Sequence, residues 1–583
     1  MAASYTAIRR KVREQVERDM KEIYGESCNH KNNVATCTVS NDCGSLYYDD
    51  KVYEDNNDTA RDNFTAHGNS NQYDYDLDEN FYFHSDSENE SNMNSDHEEK
   101  DIVTSLAEWA VNFKVSLLAI GALLLLLRQY FPSLPKDPRT LLNTLRKHVI
   151  RKLASGGEYS HIGLEKGIRQ VLQGCLLPDI DCLEIQFNTD ELPLFKSSRT
   201  SLWPILGMLK NNVIKTVFVI GVFCGQEKPS SAVEFFEDFV KETLSLLHNG
   251  LLISGKHFKL KIHSFVCDAP ARAFVKGIKY HSGYNSCEKC VQVGHYVGKV
   301  IFPQLNDRLR TDISFNQMSD EDHHRSPYAL KPLNIGGVTQ FGLDFMHLGC
   351  LGVMRRFLLY WKGPIGLLNV RISSRNVSKL SDKLLSYVAY IPYEFARKPR
   401  ALSEIMQWKA TEFRLFLLYL GPFALDGVLP TNLLDHFLLL YVASRILTSS
   451  ELSKNYTDFA NNLLVDFVSE AANLYGQECL VYNVHSLVHI AQDVKRLGPL
   501  DEFSSFPYEN MLGQLKKLIR KPQTPIQQLL RRLEEKQIFH NKQEDIKKIF
   551  PILTKEHFEG ILITPGEFNV RQYLQFQTEH WFF

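Results

Sequence analysis

Three acids in this chain sit where metal-dependent phosphoryl transfer would need them. Cys182–Asp190 (CLEIQFNTD) and Phe258–Asp268 (FKLKIHSFVCD) read as strands that end at a carboxylate. Phe506–Leu515 (FPYENMLGQL) reads as a helix start carrying Glu509. Carboxylate oxygens suit hard cations such as Mg²⁺ or Mn²⁺. Two such ions about 3.5–4 Å apart clamp the attacking and leaving oxygens of a displacement at phosphorus, as in cutting DNA. The acids therefore need to be close in space, not in sequence. Glu191 follows Asp190, so either could be the acid at that strand end, and strand parity with Asn188 favours Asp190. Plainer uses exist for both aspartates: an exposed strand end for Asp190, and an N-cap for the helix after Asp268.

A second set suits zinc. Cys287 and Cys290 form a C-x-x-C pair in HSGYNSCEKC, and His485 and His489 form H-x-x-x-H, two imidazoles on one face of a helix. Together they offer a structural Cys₂His₂ site joining two distant segments. Free thiols and surface histidines are the alternative. Asp344 and His347 (DFMH) open a helix-like run, Leu348–Leu359, but without a nucleophile elbow a catalytic dyad is a poor reading. Trp408, in MQWKATEFR, would stack on a flipped-out base if exposed, although a core tryptophan is the more frequent case. Neither a Walker A loop nor a Rossmann fingerprint is present, which argues against a nucleotide-driven motor or a dehydrogenase.

The elements that must position these groups follow from hydrophobic patterning. Met1–Ser27 reads as a short charged helix, and 28–100 as a disordered acidic segment. Residues 101–165 read as a helical module that could contact DNA, ending in a basic amphipathic helix, Thr140–Leu153. Within it, Val115–Leu127 is strongly apolar but too short for the roughly 20 residues of a spanning helix, so a buried helix and no membrane association are expected. Residues 166–290 follow the order strand, strand, strand, helix, strand, helix. That is the first half of a ribonuclease-H-like α/β domain, with one acid on the first strand and one at the end of the fourth. Leu183, Ile185 and Phe187 alternate with polar residues, predicting one buried face. Ser231 and Glu234 form a capping-box pattern ahead of an apolar helical stripe. Residues 291–500 read as a large all-α insertion, 501–545 as the return to the α/β domain with the third acid, and 546–583 as an unassignable tail.

At 583 residues the chain should hold two to four domains. Its net charge of −2 hides an asymmetry. Residues 41–100 hold 17 acids against 3 bases, whereas 101–583 hold 46 acids and 56 bases, an excess that suits a polyanionic partner. Eleven irregularly spaced cysteines and a charged start without an apolar stretch predict a reducing compartment and no disulfide framework.

The segments TDELPLF, VCDAPARAF with HSGYNSCEKC, GLDFMHLGCLGV, WKATEFRLFLLYLGP, and HSLVH with FPYENMLGQLKKL resemble transposases of the CACTA (En/Spm) type, in order and approximate spacing over most of 101–540. The resemblance implies a ribonuclease-H-like fold interrupted by a helical insertion. It implies a DDE triad of Asp190, Asp268 and Glu509 holding two Mg²⁺ or Mn²⁺ ions, and structural Zn²⁺ on Cys287, Cys290, His485 and His489. It matches Asp344-x-x-His347 to a signature between the second and third acids. It further implies cut-and-paste DNA transposition in the nucleus, by a homo-oligomer on double-stranded DNA at transposon terminal repeats. The alternative is a domesticated DNA- or chromatin-binding protein that keeps the fold without catalysis. The acidic 28–100 segment has no counterpart in the resemblance.

Overall fold

The computed structural model describes residues 101–540, except 145–147, 155, 174–179, 212–214, 364 and 393, together with the strands Ile552–His557 and Gln572–Gln577. The expected helix 1–27 and acidic segment 28–100 lie outside the described residues.

The described chain opens with a small helical module. Helix α1 (Ile102–Asn112) turns at Lys114 into α2 (Leu117–Leu127), and α3 (Pro138–Leu141) follows, started by the Asp137 side chain and Pro138. Ala107, Ala110, Ile120, Leu124, Leu134, Leu141 and Leu142 form its core. The apolar α2 is less buried than expected: Ile120 and Leu124 pack inward, while Leu118, Leu125 and Leu126 are exposed. No helix among the described residues is long and apolar enough to cross a membrane. The expected basic helix 140–153 does not form as such. Helix α3 stops at Leu141, Asn143 takes a left-handed φ of 49°, and Arg151–Lys152 is already strand β1. Asparagine tolerates that conformation, which ends a helix, and Val149 and Ile150 behind it favour extended backbone.

The centre of the molecule is a mixed sheet. Its members are β1, β2 (Glu158–His161), β3 (Cys182–Thr189), β4 (Leu192–Pro193), β5 (Ser201–Leu209), β6 (Val217–Gly225), β7 (Leu251–Ile253) and β8 (Lys256–Phe265), with helix α4 (Leu164–Leu172) between β2 and β3. The order across the sheet is β1-β2-β6-β5-β3-β8-β7, with β4 on β5. Strands β3, β5 and β6 form an antiparallel meander, and β8 returns parallel to β3 through α5 (Ala232–Asn249). β2, α4 and the β7–β8 hairpin were not anticipated. The structure is thus an α/β sheet with extensive helical regions.

Two local expectations need correction. Strand β3 is buried on both faces from Ile185 onward, Gln186 and Asn188 included, because another layer covers its polar side. The Ser231 side chain accepts the Glu234 N–H, but the Glu234 carboxylate instead accepts from Ala154 N at 2.9 Å, so only half of the capping box forms.

Past β8, α6 (Ala269–Lys276) starts at Asp268. Phe341 then bridges Phe265 in parallel, continuing the sheet for one residue. A π-helical turn, Met346–Met354, runs into helix Arg355–Lys362, and a helical lobe follows with Thr431–Thr448, Leu452–Tyr475 and Tyr482–Leu497. The chain returns to the sheet with Phe506–Leu518 and Pro525–His540. The tail read as unassignable contains an antiparallel pair, Ile552–His557 with Gln572–Gln577.

Candidate functional site

Sheet register brings the two aspartates level. In the parallel pair, Phe187 of β3 lies beside Phe265 of β8. Asp190 and Asp268 each come three residues later, at the carboxyl ends of neighbouring strands, where open α/β sheets bind ligands. Beyond the strands, Val266 N donates to Phe187 O at 2.8 Å and Asn188 Nδ2 to Val266 O at 2.7 Å, which ties the two strand ends together. Asp268 Oδ1 accepts the Ala271 N–H at 2.7 Å, so its N-cap role is real and fixes this carboxylate.

Glu509 arrives from the covering layer. Helix Phe506–Leu518 lies on the polar face of β3, where Tyr508 Oη donates to Gln186 Oε1 at 3.1 Å. Gln186 Nε2 in turn donates to Ser264 Oγ at 2.9 Å and to Glu502 O at 3.0 Å. This buried amide seats the third acid's helix on the sheet. One ligand atom each from Asp190, Glu509 and His347 lies within 4.8 Å of the others. Asp268 stands beside this trio and is not part of that mutual set.

The electrostatics record the crowding. Burial, then the charges of Asp268 and Glu509, push the Asp190 carboxyl well above the usual range. Burial and Asp268 likewise raise Glu509, against the pull of His347. Asp190 and Glu509 are close enough to share a hydrogen bond. Carboxylates gathered this way repel unless a proton or a cation intervenes.

Asp344 and His347 belong to the same site. Asp344 is fully buried, and its Oδ2 faces His347 Nδ1 at 2.6 Å. His347 Nε2 is directed at Glu509 Oε1, 3.8 Å away. Burial opposes charge on the imidazole, but the hydrogen bond and charge of Asp344 carry its pKa up to about 10. Burial opposes charge on Asp344, but the hydrogen bond and charge of His347, helped by the Ser505 N–H, pull its pKa below its ordinary value. His347 sits in the π-helical turn, a feature frequent at functional sites. Gly352 in that turn admits a close neighbour: a Cβ there would lie 2.5 Å from Asn483 Nδ2 on helix Tyr482–Leu497.

That neighbouring helix carries half of a candidate metal site. Cys287, Cys290, His485 and His489 are all buried and mutually adjacent. The edges of the cluster are Cys287 Sγ–Cys290 Sγ 3.4 Å, Cys290 Sγ–His485 Nε2 3.4 Å, Cys287 Sγ–His489 Nε2 3.6 Å and His485 Nε2–His489 Nε2 3.3 Å. A tetrahedron built on standard Zn–S and Zn–N bonds has S–S, S–N and N–N edges of about 3.8, 3.5 and 3.3 Å. The donors therefore fit a metal such as zinc. Burial works against a thiolate at Cys287, but the Cys290 thiol and both imidazoles outweigh it and lower its pKa, while the hydrogen bond to Cys287 and burial push the Cys290 thiol up, so the pair keeps one proton between them. All seven cysteines among the described residues are free of disulfides.

The two residues between the cysteines reach toward the acids. Buried Glu288 pairs with Arg272 Nε at 2.9 Å and Lys276 Nζ at 2.8 Å on α6, the helix that Asp268 caps, and accepts from Tyr482 Oη at 2.6 Å. Arg272 Nη1 also donates to Cys267 O, next to Asp268. Lys289 pairs with buried Asp493 at 2.7 Å and donates to Val338 O and Phe341 O. Asp493 Oδ2 accepts the Leu343 N–H at 2.9 Å, one residue before Asp344. Sequence reasoning missed these residues, although His485, His489 and Asp493 form an i, i+4, i+8 stripe that marks one helical face. Trp408 plays no part in the site. It is 5% exposed, packs on Phe413 and Phe416, and donates to Ala401 O at 3.3 Å, so its face is not presented to a base.

The chain matches no protein-family model and no curated protein.

Proposed function

We propose that this chain is a DDE-type transposase, cleaving DNA strands and joining the freed 3′ ends to a target with Mg²⁺ or Mn²⁺. The observation that carries the reading is the gathering of Asp190, Glu509 and His347, with Asp268 level with Asp190, across a gap of more than 240 residues between the second and third acids. The order β6-β5-β3-β8, antiparallel, antiparallel, then parallel, supports a ribonuclease-H-like sheet with acids on its first and fourth strands. On this reading the insertion expected over 291–500 is mainly helical only after Phe341, since its first part carries an antiparallel strand pair, His295–Tyr296 with Val300–Ile301, and the Cys₂His₂ site is the structural zinc that fastens it.

Asp190, Asp268 and Glu509 would hold the divalent cations, which when bound supply Lewis-acid stabilisation of charge on the phosphoryl oxygens. Asp268 is held rigid by its helix cap, and Glu509 by the Gln186–Tyr508 contact. Asp344 holds His347 protonated and fixes its direction, and the positive charge of His347 restrains Glu509 and offsets the negative charge of the acids. The chain's contribution is thus positioning and preorganised charge.

Asp268→Asn and Glu509→Gln test this by removing charge at nearly constant size. Each should reduce Mg²⁺-dependent nicking of DNA by more than about 100-fold and leave DNA binding nearly intact, since backbone contacts dominate binding. Undiminished nicking in both variants would place catalysis elsewhere. A parent protein that binds DNA yet nicks it with neither metal, on its own terminal repeats, would favour the domesticated binder.

A further inference from the structure

Between Cys287 and Cys290 stand two buried charges of opposite sign, Glu288 and Lys289. A buried ion pair is often no more stabilising than apolar residues of the same volume, so its use lies in the geometry it fixes. The partners of the two residues lie on different segments, and each segment leads to a different part of the acidic centre.

The Lys289 ammonium has three N–H donors, and three acceptors meet it: Val338 O and Phe341 O at 2.8 Å, and Asp493 Oδ1 at 2.7 Å. Asp493 Oδ2 takes the Leu343 N–H at 2.9 Å. The stretch 338–343 is thus gripped at three backbone groups immediately before Asp344. It is also seated on β8, where Phe265 N donates to Gln340 O at 2.8 Å and the rings of Phe265 and Phe341 stack at 5.3 Å. Asp344 then passes the position on, to His347 and to Ser505 at the start of the Glu509 helix.

Glu288 works toward the other side. Its carboxylate takes Arg272 Nε, Lys276 Nζ and Tyr482 Oη, and the first two belong to α6, the helix that Asp268 caps. Arg272 Nη1 also holds Cys267 O at 2.6 Å, at the strand end itself. Adjacent residues of one loop therefore brace the second acid and the segment that seats the helix of the third.

We infer that Glu288 and the Lys289–Asp493 pair are positioning residues for divalent cations at the acids: they set the gap between Asp268 and Glu509, so the loop of the Cys₂His₂ site governs cation affinity at the acidic centre as well as fastening the helical lobe. The inference rests on the reading of the acids as a cation site and deepens it. Mg²⁺ and its analogues demand near-ideal placement of oxygen ligands, so a small change in that gap weakens binding without removing a ligand.

The test uses the full chain and Mn²⁺ alone, with binding followed by the electron paramagnetic resonance signal of the free ion. Glu509→Gln identifies the part of the binding that belongs to the acidic centre. Lys289→Met removes the ammonium at nearly constant length, and Asp493→Asn removes the paired charge while keeping an oxygen for Leu343. Each should weaken Mn²⁺ binding at the acidic centre by about 10–100-fold and still carry full zinc by elemental analysis. The Mn²⁺ concentration for half-maximal nicking of DNA should rise by the same factor, with the rate at saturating Mn²⁺ nearly unchanged, a split that general loss of stability does not give. Glu242→Gln, a destabilising change away from both sites, is the control and should leave Mn²⁺ affinity unaltered. Parental Mn²⁺ affinity in folded Lys289→Met and Asp493→Asn would overturn the positioning role and leave the proposed function standing. An equal loss in Glu242→Gln, loss of zinc alongside Mn²⁺, or unfolding of both pair variants would reduce the pair to a structural role and overturn it as well. A parent whose Mn²⁺ binding is untouched by Glu509→Gln would overturn the cation site, and with it both this inference and the proposed function.

Discussion

The Asp344 carboxylate accepts the backbone N–H of Ser505 at 2.8 Å, across 161 positions of chain. Ser505 immediately precedes the helix of Glu509, and the other oxygen of Asp344 holds His347. One buried carboxylate therefore fixes both the imidazole and the start of the helix that carries the third acid. Asp344→Asn keeps an oxygen for Ser505 but loses the charge that holds His347 protonated. The His347 pKa should fall from about 10 toward an ordinary imidazole value near 6.5, read by NMR titration of the ring. Under the proposed function, DNA nicking should drop by about 10–100-fold, as for outer groups that orient a metal site. An unchanged titration of His347 would show that another group holds its proton.

For the Cys₂His₂ centre, purified protein should carry one zinc per chain by elemental analysis. Cys290→Ser should abolish the stoichiometric metal, because a serine hydroxyl is a poor substitute for a thiolate. The cluster joins the Cys287–Cys290 loop to helix Tyr482–Leu497, so metal loss should also lower the melting temperature of the sheet and the helical lobe together. Full zinc content in Cys290→Ser would exclude that sulfur as a ligand.

Glu288 predicts a large stability effect at a site without a direct role in chemistry. It is buried with Arg272 and Lys276, both equally buried, and burial already lowers Lys276 to about 8. Glu288→Gln leaves those cations uncompensated and should cost about 3–5 kcal/mol in denaturant unfolding. Glu184→Gln breaks only a solvent-facing pair with Lys261 and should cost less than about 1 kcal/mol. Equal costs for the two variants would mean that the Glu288 pair adds nothing beyond a surface contact.

The contrast between these pairs also explains what was legible in the sequence. Strand ends at Asp190 and Asp268 were readable because periodicity and a terminal acid are local signals, as were the C-x-x-C and H-x-x-x-H spacings. The double burial of β3 was not, because the partner of Gln186 is Tyr508, more than 300 residues away. Asp344 looked like one half of an isolated pair because its tie to Ser505 exists only in the folded chain. The basic helix expected over 140–153 failed for a local reason, the left-handed Asn143, that helical periodicity does not register. Trp408 was ambiguous from the start, since an indole beside Lys409 looks the same whether it faces solvent or Phe413.

The last prediction concerns pH and lies away from the acidic centre. Glu242 Oε2 meets His161 Nε2 at 2.7 Å and accepts the Leu164 N–H, while Oε1 accepts the Glu165 N–H at 3.1 Å, so one carboxylate anchors β2 and the start of α4. Burial opposes its charge, but the His161 hydrogen bond and the two backbone N–H groups outweigh burial and lower its pKa. A carboxylate with a depressed folded pKa binds its proton more readily unfolded than folded. Its stabilisation is therefore complete above the usual carboxylate value near 4.5 and is lost as pH falls below it toward the folded pKa. Glu242→Gln should destabilise the protein by about 1–3 kcal/mol at neutral pH, the worth of hydrogen bonds to a charged group. The loss should shrink as the parent is acidified, so the stability curves of the two proteins converge below about pH 4. Melting temperature against pH for both proteins checks this. Parallel curves throughout the acid range would show that the Glu242 charge does not stabilise the fold.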